Sequence, residues 1–435
     1  MMLKEYAKEE LTSLQQNLQS EMEQIKTQAL SLDLTRGKPS PEQLDLANRL
    51  DGILGGFYLL QDGTDVRNYG GILGIPEARQ LGADLLEIPS SQVLAGGNSS
   101  LSLMYAYIDL AMNTGAAGPG TAWRDELAAN EKIKFLCPVP GYDRHFTICE
   151  HFDIEMLTVN MTDDGPDMDQ IESMCAADPL IKGIWCVPKY SNPTGATYSD
   201  ATVDRFARLA KTAGPNFRIL WDNAYAVHHL DGRPAPLKNL MPAAEAEGTE
   251  DSVVMLGSTS KITFAGAGVA FLGTSNNNLG HLEKFLSASV IGFDKVNQLR
   301  HVRFFEEQDS LAAHMNKHQA ILKPKFDAVQ SGLEQNLSGL GVAEWTTPGG
   351  GYFVSLDVMP GLATRIIKLA ADVGVKLTPA GSTFPYKKDP EDRNIRIAPS
   401  FPKLEDLESA MQVLVLCIKL ASVDQLLNQG ATSHA

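Results

Sequence analysis

The chain is poor in cysteine and in positive charge, and both shortages narrow what it can be. Its 435 residues hold five cysteines, at 137, 149, 175, 186 and 417, with no C-x-x-C pair. An odd, scattered set excludes a disulfide framework and a structural zinc, so no metal is expected, and it points to a reducing compartment. Lys and Arg number 37 against 53 Asp and Glu, a formal net charge of −16. Neither a nucleic acid nor an anionic membrane is therefore an expected partner. The charged first ten residues are followed by no apolar core of a secretion signal, and no uninterrupted apolar run is long enough to span a bilayer. A soluble cytoplasmic protein is the expectation. Repeats and low-complexity tracts are also missing.

What is present is apolar material, 43% of the residues, in a chain too long for one ordinary core. Leu11, Leu14, Leu18, Met22 and Ile25 recur at helical spacing with no Pro or Gly, which predicts a helix over 3–30. A second helix is predicted over 41–54, a third over 75–86 and an apolar one over 101–112. Short strands are predicted at 91–94, 134–136, 154–159, 182–187, 217–221, 253–256 and 269–272, most of them separated by helices. That rhythm predicts an α/β protein with a mainly parallel, seven-stranded sheet covered on both faces. Ligands of such sheets bind at the carboxyl ends of the strands. Beyond about residue 333 the style changes to a smaller α+β domain. The expected division is an N-terminal helix and arm over 1–55 belonging to the small domain, a large domain over 56–330, the rest of the small domain over 331–428, and a disordered tail over 429–435.

Polar residues cluster where the apolar runs end. Gly257-Ser258-Thr259-Ser260-Lys261 follows the run at 253–256. Alone, such a lysine reads as a loop residue that snorkels. The sharper reading is a desolvated amine, low enough in pKa to form a Schiff base with a carbonyl cofactor. Asp222 ends the run at 219–221, where a buried carboxylate needs a cationic partner or caps a helix. Gly96-Gly97-Asn98-Ser99-Ser100 lies between a strand and a helix, so backbone N–H groups there are available to an anion. That loop matches neither G-x-G-x-x-G nor G-x-x-x-x-G-K-[ST], which sets aside a dinucleotide fingerprint and a P-loop. Asn192-Pro193-Thr194-Gly195 follows the strand at 184–187.

The N-P-T-G loop, with D-x-x-Y at Asp222–Tyr225, S-x-S-K at Ser258–Lys261, R-I-A at Arg396–Ala398 and Y-x-x-x-x-G-x-P at Tyr69–Pro76, resembles the fold-type I pyridoxal-phosphate aminotransferases. The match spans nearly the whole chain. T-R-G-K-P at 35–39, C-P-V-P-G-Y-D-R-H at 137–145 and D-K-V-N-Q-L-R-H at 294–301 are most similar to the bacterial subgroup Ic aspartate aminotransferases.

The resemblance implies the pyridoxal-phosphate transferase type I fold, pyridoxal 5'-phosphate as cofactor, and a homodimer with shared sites. It also implies that Lys261 carries the cofactor and moves the substrate's proton. Asp222 then faces the ring nitrogen, Asn192 and Tyr225 the ring oxygen, and Tyr142 the ring face, in preference to Val139. Gly97, Asn98, Ser99, Ser100, Ser258 and Ser260 surround the phosphate, joined by Tyr69 from the neighbouring subunit. Arg396 clamps the substrate α-carboxylate beside Asn192. Arg36, next to Gly37, stands with Lys38, Lys295 and Arg300 as a candidate for a distal carboxylate.

Two departures matter: Val269 replaces the arginine that ordinarily holds the phosphate, and a shifted alignment would put Val139 rather than Tyr142 at the ring face; smaller ones are Ala78 in place of a leucine and Ala398 directly after Ile397. Lys189 is a candidate replacement for that arginine. The implied reaction is amino transfer from L-aspartate to 2-oxoglutarate. The alternatives are an aromatic or kynurenine aminotransferase, an aminocyclopropane-carboxylate synthase-like lyase, and a cofactor-sensing regulator.

Overall fold

The fold is described from a computed structural model covering residues 2–232, 234–307 and 310–432. Its centre is a sheet of β1 (Val93–Ala95), β2 (Lys134–Val139), β3 (Glu155–Thr162), β4 (Gly165–Pro166), β5 (Ile181–Cys186), β6 (Arg218–Asp222), β7 (Val253–Ser258) and β8 (Ala270–Thr274). Across the sheet the order is β1-β8-β7-β6-β5-β2-β3-β4. Pairings from β7 through β6, β5 and β2 to β3 are parallel, while β8 runs antiparallel to both β7 and β1. The seven expected strands are all there. An eighth joins at the edge, because Thr162 and Gly165 close a tight hairpin that pairs β4 with β3.

Alternate residues of each strand feed two different cores. Ile219, Trp221, Val253 and Met255 pack on one face, and Leu220, Val254 and Leu256 on the other. Both faces are covered, so these strands are continuous apolar runs, and the chain turns polar only where a strand leaves the sheet. Asp222 and Ser258 are such points.

A third core joins Leu11, Leu18 and Met22 to Val354, Leu356, Ile395, Ile397 and Leu414. It holds the antiparallel strands Ala343–Trp345, Val354–Val358 and Asn394–Ile397 and a two-residue parallel pairing of Leu32–Asp33 with Val375–Lys376. The helix Leu311–Leu337 serves two cores, with Met315 in a sheet core and Leu322, Phe326 and Val329 in the third.

Three boundaries differ from expectation. The helix expected over 3–30 is a short turn, Leu3–Glu5, followed by Lys8–Lys26, which begins where the Glu10 carboxylate accepts the Ala7 N–H at 2.7 Å. The stretch 41–54 is helical at Pro41–Asp45 and Asn48–Leu50, after which Gly52 and Gly55 take left-handed φ of 74° and 52° that a helix cannot continue through. The closing helix, Leu404–Thr432, continues to residue 432 where a disordered tail from 429 is expected, and 433–435 lie outside the described residues. Its part Leu404–Gln429 is long and apolar enough, by length and composition, to cross a membrane, although no such segment is expected from the sequence. It packs against the helices Lys8–Lys26, Leu311–Leu337 and Ala363–Asp372, with Leu407, Met411, Leu414 and Ile418 buried.

Candidate active site

Lys261 lies three residues past the end of β7. The turn that carries it is tied back to β8, since Thr259 Oγ1 accepts the Val269 N–H at 2.9 Å and the Thr259 N–H reaches the Val269 carbonyl at 2.9 Å. The Lys261 ammonium sits 5.0 Å from the centre of the Tyr225 ring. Among the described residues no hydrogen bond or ion pair engages it. Burial lowers its pKa below the ordinary lysine value, opposed by the Asp222 carboxylate. The sequence reading of a desolvated amine therefore describes this lysine better than a snorkelling one.

Asp222, at the end of β6, is buried. Its Oδ2 accepts from His145 Nε2 at 3.1 Å, and the His145 ring stacks on Trp185 at 4.3 Å and 9°. Asp222 Oδ1 is buried with no partner among the described residues. Tyr142 packs edge-on against His145, with centroids 5.0 Å apart. Burial first, then Asp222 and Asp143, push the Tyr142 phenol up, and burial, Tyr142 and Asp222 do the same to Tyr225. His145 and Trp185 are absent from the sequence-derived site. A usable signal is the three-residue spacing of Tyr142 and His145 at a helix start, which sets both on one face.

Arg396 projects from the strand Asn394–Ile397. One guanidinium nitrogen, Nη1, donates to Asn192 Oδ1 and to Asp143 Oδ1, both at 3.4 Å. The guanidinium lies 4.7 Å from the centre of the Phe353 ring, and its Nε is buried without a partner among the described residues. Gly37 presses on this assembly: a Cβ there would fall 2.3 Å from the Phe353 ring, so any larger residue would force that ring to move. Arg36 is exposed beside it, and among the described residues nothing hydrogen-bonds or ion-pairs with its guanidinium. The other three candidate cations are engaged. Lys295 donates to the Gly70 carbonyl at 2.6 Å, Arg300 pairs with Asp51 at 2.7 Å, and Lys38 lies over the Phe401 ring.

Adjacent strands bring the two small-residue loops together. Gly96 N–H donates to the Ala270 carbonyl and Ala270 N–H to the Gly97 carbonyl, both at 2.8 Å. Ser260 Oγ donates to the Asn98 carbonyl at 3.3 Å, and Asn98 Nδ2 to the Gly266 carbonyl at 3.0 Å. Ser258 Oγ accepts the Ser260 N–H at 3.4 Å. Ser99 caps the helix Ser100–Asn113 without a side-chain hydrogen bond, and although the Ser102 N–H donates to the Ser99 carbonyl at 3.1 Å, the Ser100 and Leu101 N–H groups are left for an anion. Val269 is 1% exposed and belongs to a sheet core, so an arginine would not fit at that position without disturbing the packing. Lys189 lines a separate cavity of about 260 Å³ with Leu86, Glu87, Trp221 and Asn223. Lys261, Asp222, Tyr225, Tyr142, Asn192 and Arg396 thus converge, with Gly97–Ser100, Ser258 and Ser260 at one end. Tyr69 does not join them within this chain, being 84% exposed.

Behind the lysine, burial pushes His228 down to about 3 and His301 and His318 down to about 4. Imidazole in an unfolded chain titrates near about 6.5. The folded values lie below the unfolded one, so the unfolded chain binds more protons across that gap. The stability held by these neutral rings is complete above pH 6.5 and is lost as pH falls towards 4. Each ring is expected to remove about 2 kcal/mol between pH 8 and pH 5. Melting temperatures at pH 8, 6.5 and 5 should fall within that window. A flat profile would show that the rings are not held neutral.

The α/β architecture with its mainly parallel central sheet is that of the fold-type I aminotransferases. The family described as aspartate amino-transferase matches residues 6–430, and the chain belongs to it. It is 45% identical to an aspartate aminotransferase of Corynebacterium glutamicum, over 98% of each chain. It is 49% identical to a provisionally assigned aminotransferase of Mycolicibacterium smegmatis, over 93% of this chain and 94% of that one. The crystal structure of an aspartate transaminase from Corynebacterium glutamicum superposes with a TM-score of 0.93 at 44% identity, over 98% of this chain and 99% of that one.

Proposed function

We propose that the protein is a pyridoxal 5'-phosphate-dependent aspartate aminotransferase, a cytoplasmic homodimer that moves the amino group of L-aspartate to 2-oxoglutarate, giving oxaloacetate and L-glutamate. One observation carries the proposal. Lys261, half-buried, partly desolvated and without a polar partner among the described residues, lies near Asp222, whose buried Oδ1 also lacks one. Groups this costly to desolvate persist where a ligand completes them. An aromatic cationic ring fits Asp222 Oδ1, and a phosphate dianion fits the uncapped helix start with Ser258 and Ser260.

The cofactor, when bound, supplies an electron sink for a carbanion at the substrate Cα. The chain's own groups do the rest. Asp222, steadied by His145, would hold a proton on the ring nitrogen. Asn192 and Tyr225 would hold the ring oxygen and Tyr142 the ring face. Lys261 would take the Cα proton and return it one carbon away. Arg396 would orient the α-carboxylate through its free Nε. Tyr69, exposed together with Phe57, Leu59 and Ile291, would serve the neighbouring subunit's phosphate across an apolar contact. We assign residues 1–55 and 331–428 to the small domain and 56–330 to the large one. The five cysteines are free and buried, in keeping with a reducing compartment.

The distal carboxylate is assigned to Arg36. It is the uncommitted cation of the four candidates, and its neighbour Gly37 touches the ring on which Arg396 rests. Purified protein should form oxaloacetate from aspartate and 2-oxoglutarate faster than it forms keto acids from phenylalanine or kynurenine. Arg36→Ala is expected to cut kcat/KM for aspartate about 10- to 100-fold and to leave phenylalanine unchanged, as for the loss of a hydrogen bond to a charged group. A preference for kynurenine, or an equal loss with both donors, would overturn the substrate assignment.

A further inference from the structure

We infer that Gln43, His228, His314, His318 and Tyr352 are positioning residues for Lys261, fixing its peptide through two consecutive backbone carbonyls. The inference rests on the reading of Lys261 as the reactive amine. Beyond β7 the chain leaves the sheet ladder, and among the described residues no backbone N–H reaches the Lys261 or Ile262 carbonyl. Side chains occupy both. His228 Nε2 donates to the Lys261 carbonyl at 3.2 Å, and the Tyr352 hydroxyl donates to the same oxygen at 3.4 Å. His314 Nε2 and His318 Nε2 reach the Ile262 carbonyl at 2.7 and 2.9 Å. A carbonyl has two lone pairs, so each of these oxygens can accept from both of its neighbours, and the His314 and His318 Nε2 atoms also lie 3.2 Å from each other.

The donors are themselves held. A His318 ring that donates through Nε2 must accept through Nδ1, and Gln43 Nε2 lies 3.0 Å from that atom. Gln43 Nε2 also donates to the Tyr352 oxygen at 2.9 Å, and Gln43 Oε1 accepts the Ser40 N–H at 3.1 Å. One amide therefore sets the tautomer of a histidine and the direction of a tyrosine hydroxyl. All five side chains are at most 3% exposed. Apolar residues of the same size would fill this volume without the desolvation cost of five polar groups. Holding the lysine's backbone accounts for the polar choice.

The network also joins the lysine to both carboxylate-binding candidates. Tyr352 is followed by Phe353, the ring beneath Arg396. Gln43 lies in the helix Pro41–Asp45, a few residues past Arg36 and Gly37. With Lys261's peptide fixed against these segments, the reach of its amine depends on rotation of its own side chain. Misplacement of a reacting group by about 1 Å is enough to slow catalysis severely.

The test uses the holoenzyme. Tyr352→Phe keeps the ring and deletes one donor, and Gln43→Met keeps the volume and deletes the amide. Each is expected to lower kcat about 3- to 10-fold, with KM for aspartate changed less than about 2-fold. The pH midpoint of the bound cofactor's absorbance change should move by about half a unit. Unchanged kcat and midpoint with a lower melting temperature would overturn the inference, since the network would then serve stability alone. If neither variant folds, the parent decides: its ¹⁵N-histidine spectrum should show His228 and His318 as neutral Nε2–H rings that do not titrate between pH 8 and 5, and Nδ1–H tautomers at these two rings would overturn it. Activity retained in Lys261→Ala would remove the underlying reading. An inactive Lys261→Ala with fully active Tyr352→Phe and Gln43→Met would remove this inference alone.

Discussion

Replacing Lys261 by alanine is expected to lower kcat for aspartate transamination by at least about 10⁴-fold while leaving the protein folded. The size follows from two tasks resting on one amine. Positioned proton transfer alone contributes about 10²–10⁴-fold, and loss of the covalent attachment adds to it. The folded state should be indifferent to the change or gain from it, because the ammonium has no hydrogen bond or ion pair among the described residues and is desolvated. What remains is the packing of its stem near the Tyr225 ring, 5.0 Å from the ammonium. Steady-state assays beside a thermal melt separate the two effects. A variant that melts like the parent and keeps a tenth of its activity would end the assignment of Lys261. A variant that is inactive and melts far lower would mean that the lysine is structural.

The parts of this site that are legible in the sequence share one physical cause. Asp222 ends a buried strand and Asn192 and Lys261 follow the ends of its neighbours, where long apolar runs give way to polar residues, and the sheet sets these strands side by side. The spacing of His145 from Tyr142 sets it on the site's face of its helix, but nothing local shows that it meets Asp222, because the contact closes over 77 residues of chain and depends on Trp185 offering a stacking face. The Gln43, His318 and Tyr352 cluster is still less visible, joined across 275 and 309 residues. Single histidines on a helix look like ordinary polar positions until their partners are known. The four candidate cations are equivalent in the sequence for the same reason: Asp51 and the Gly70 carbonyl, which engage Arg300 and Lys295, are identified only by the fold. Val269 is the reverse case. Its departure from the family pattern is plain in the sequence, and its burial in a sheet core shows that position 269 is packing rather than ligand contact.

Arg396→Lys is expected to reduce kcat/KM about 10²- to 10³-fold for every amino-acid donor, mostly through KM. The guanidinium is almost fully buried over Phe353, with Nη1 spanning Asn192 and Asp143 and Nε left free. That fork presents parallel donors to a carboxylate, whereas a lysine offers a point charge on a flexible stem. Breaking one side of a buried ion pair costs about 3–5 kcal/mol, the range that sets this prediction. The effect should fall on KM because the carboxylate is held alike before and during reaction. Arg396 and Arg36 can then be told apart by donor. The Arg396 variant should lose aspartate and phenylalanine equally and bind succinate and acetate analogues more weakly alike. The Arg36 variant should lose aspartate and succinate alone. A KM for phenylalanine that is unchanged in Arg396→Lys would move the α-carboxylate to a different residue, and with it the orientation of the substrate relative to Lys261.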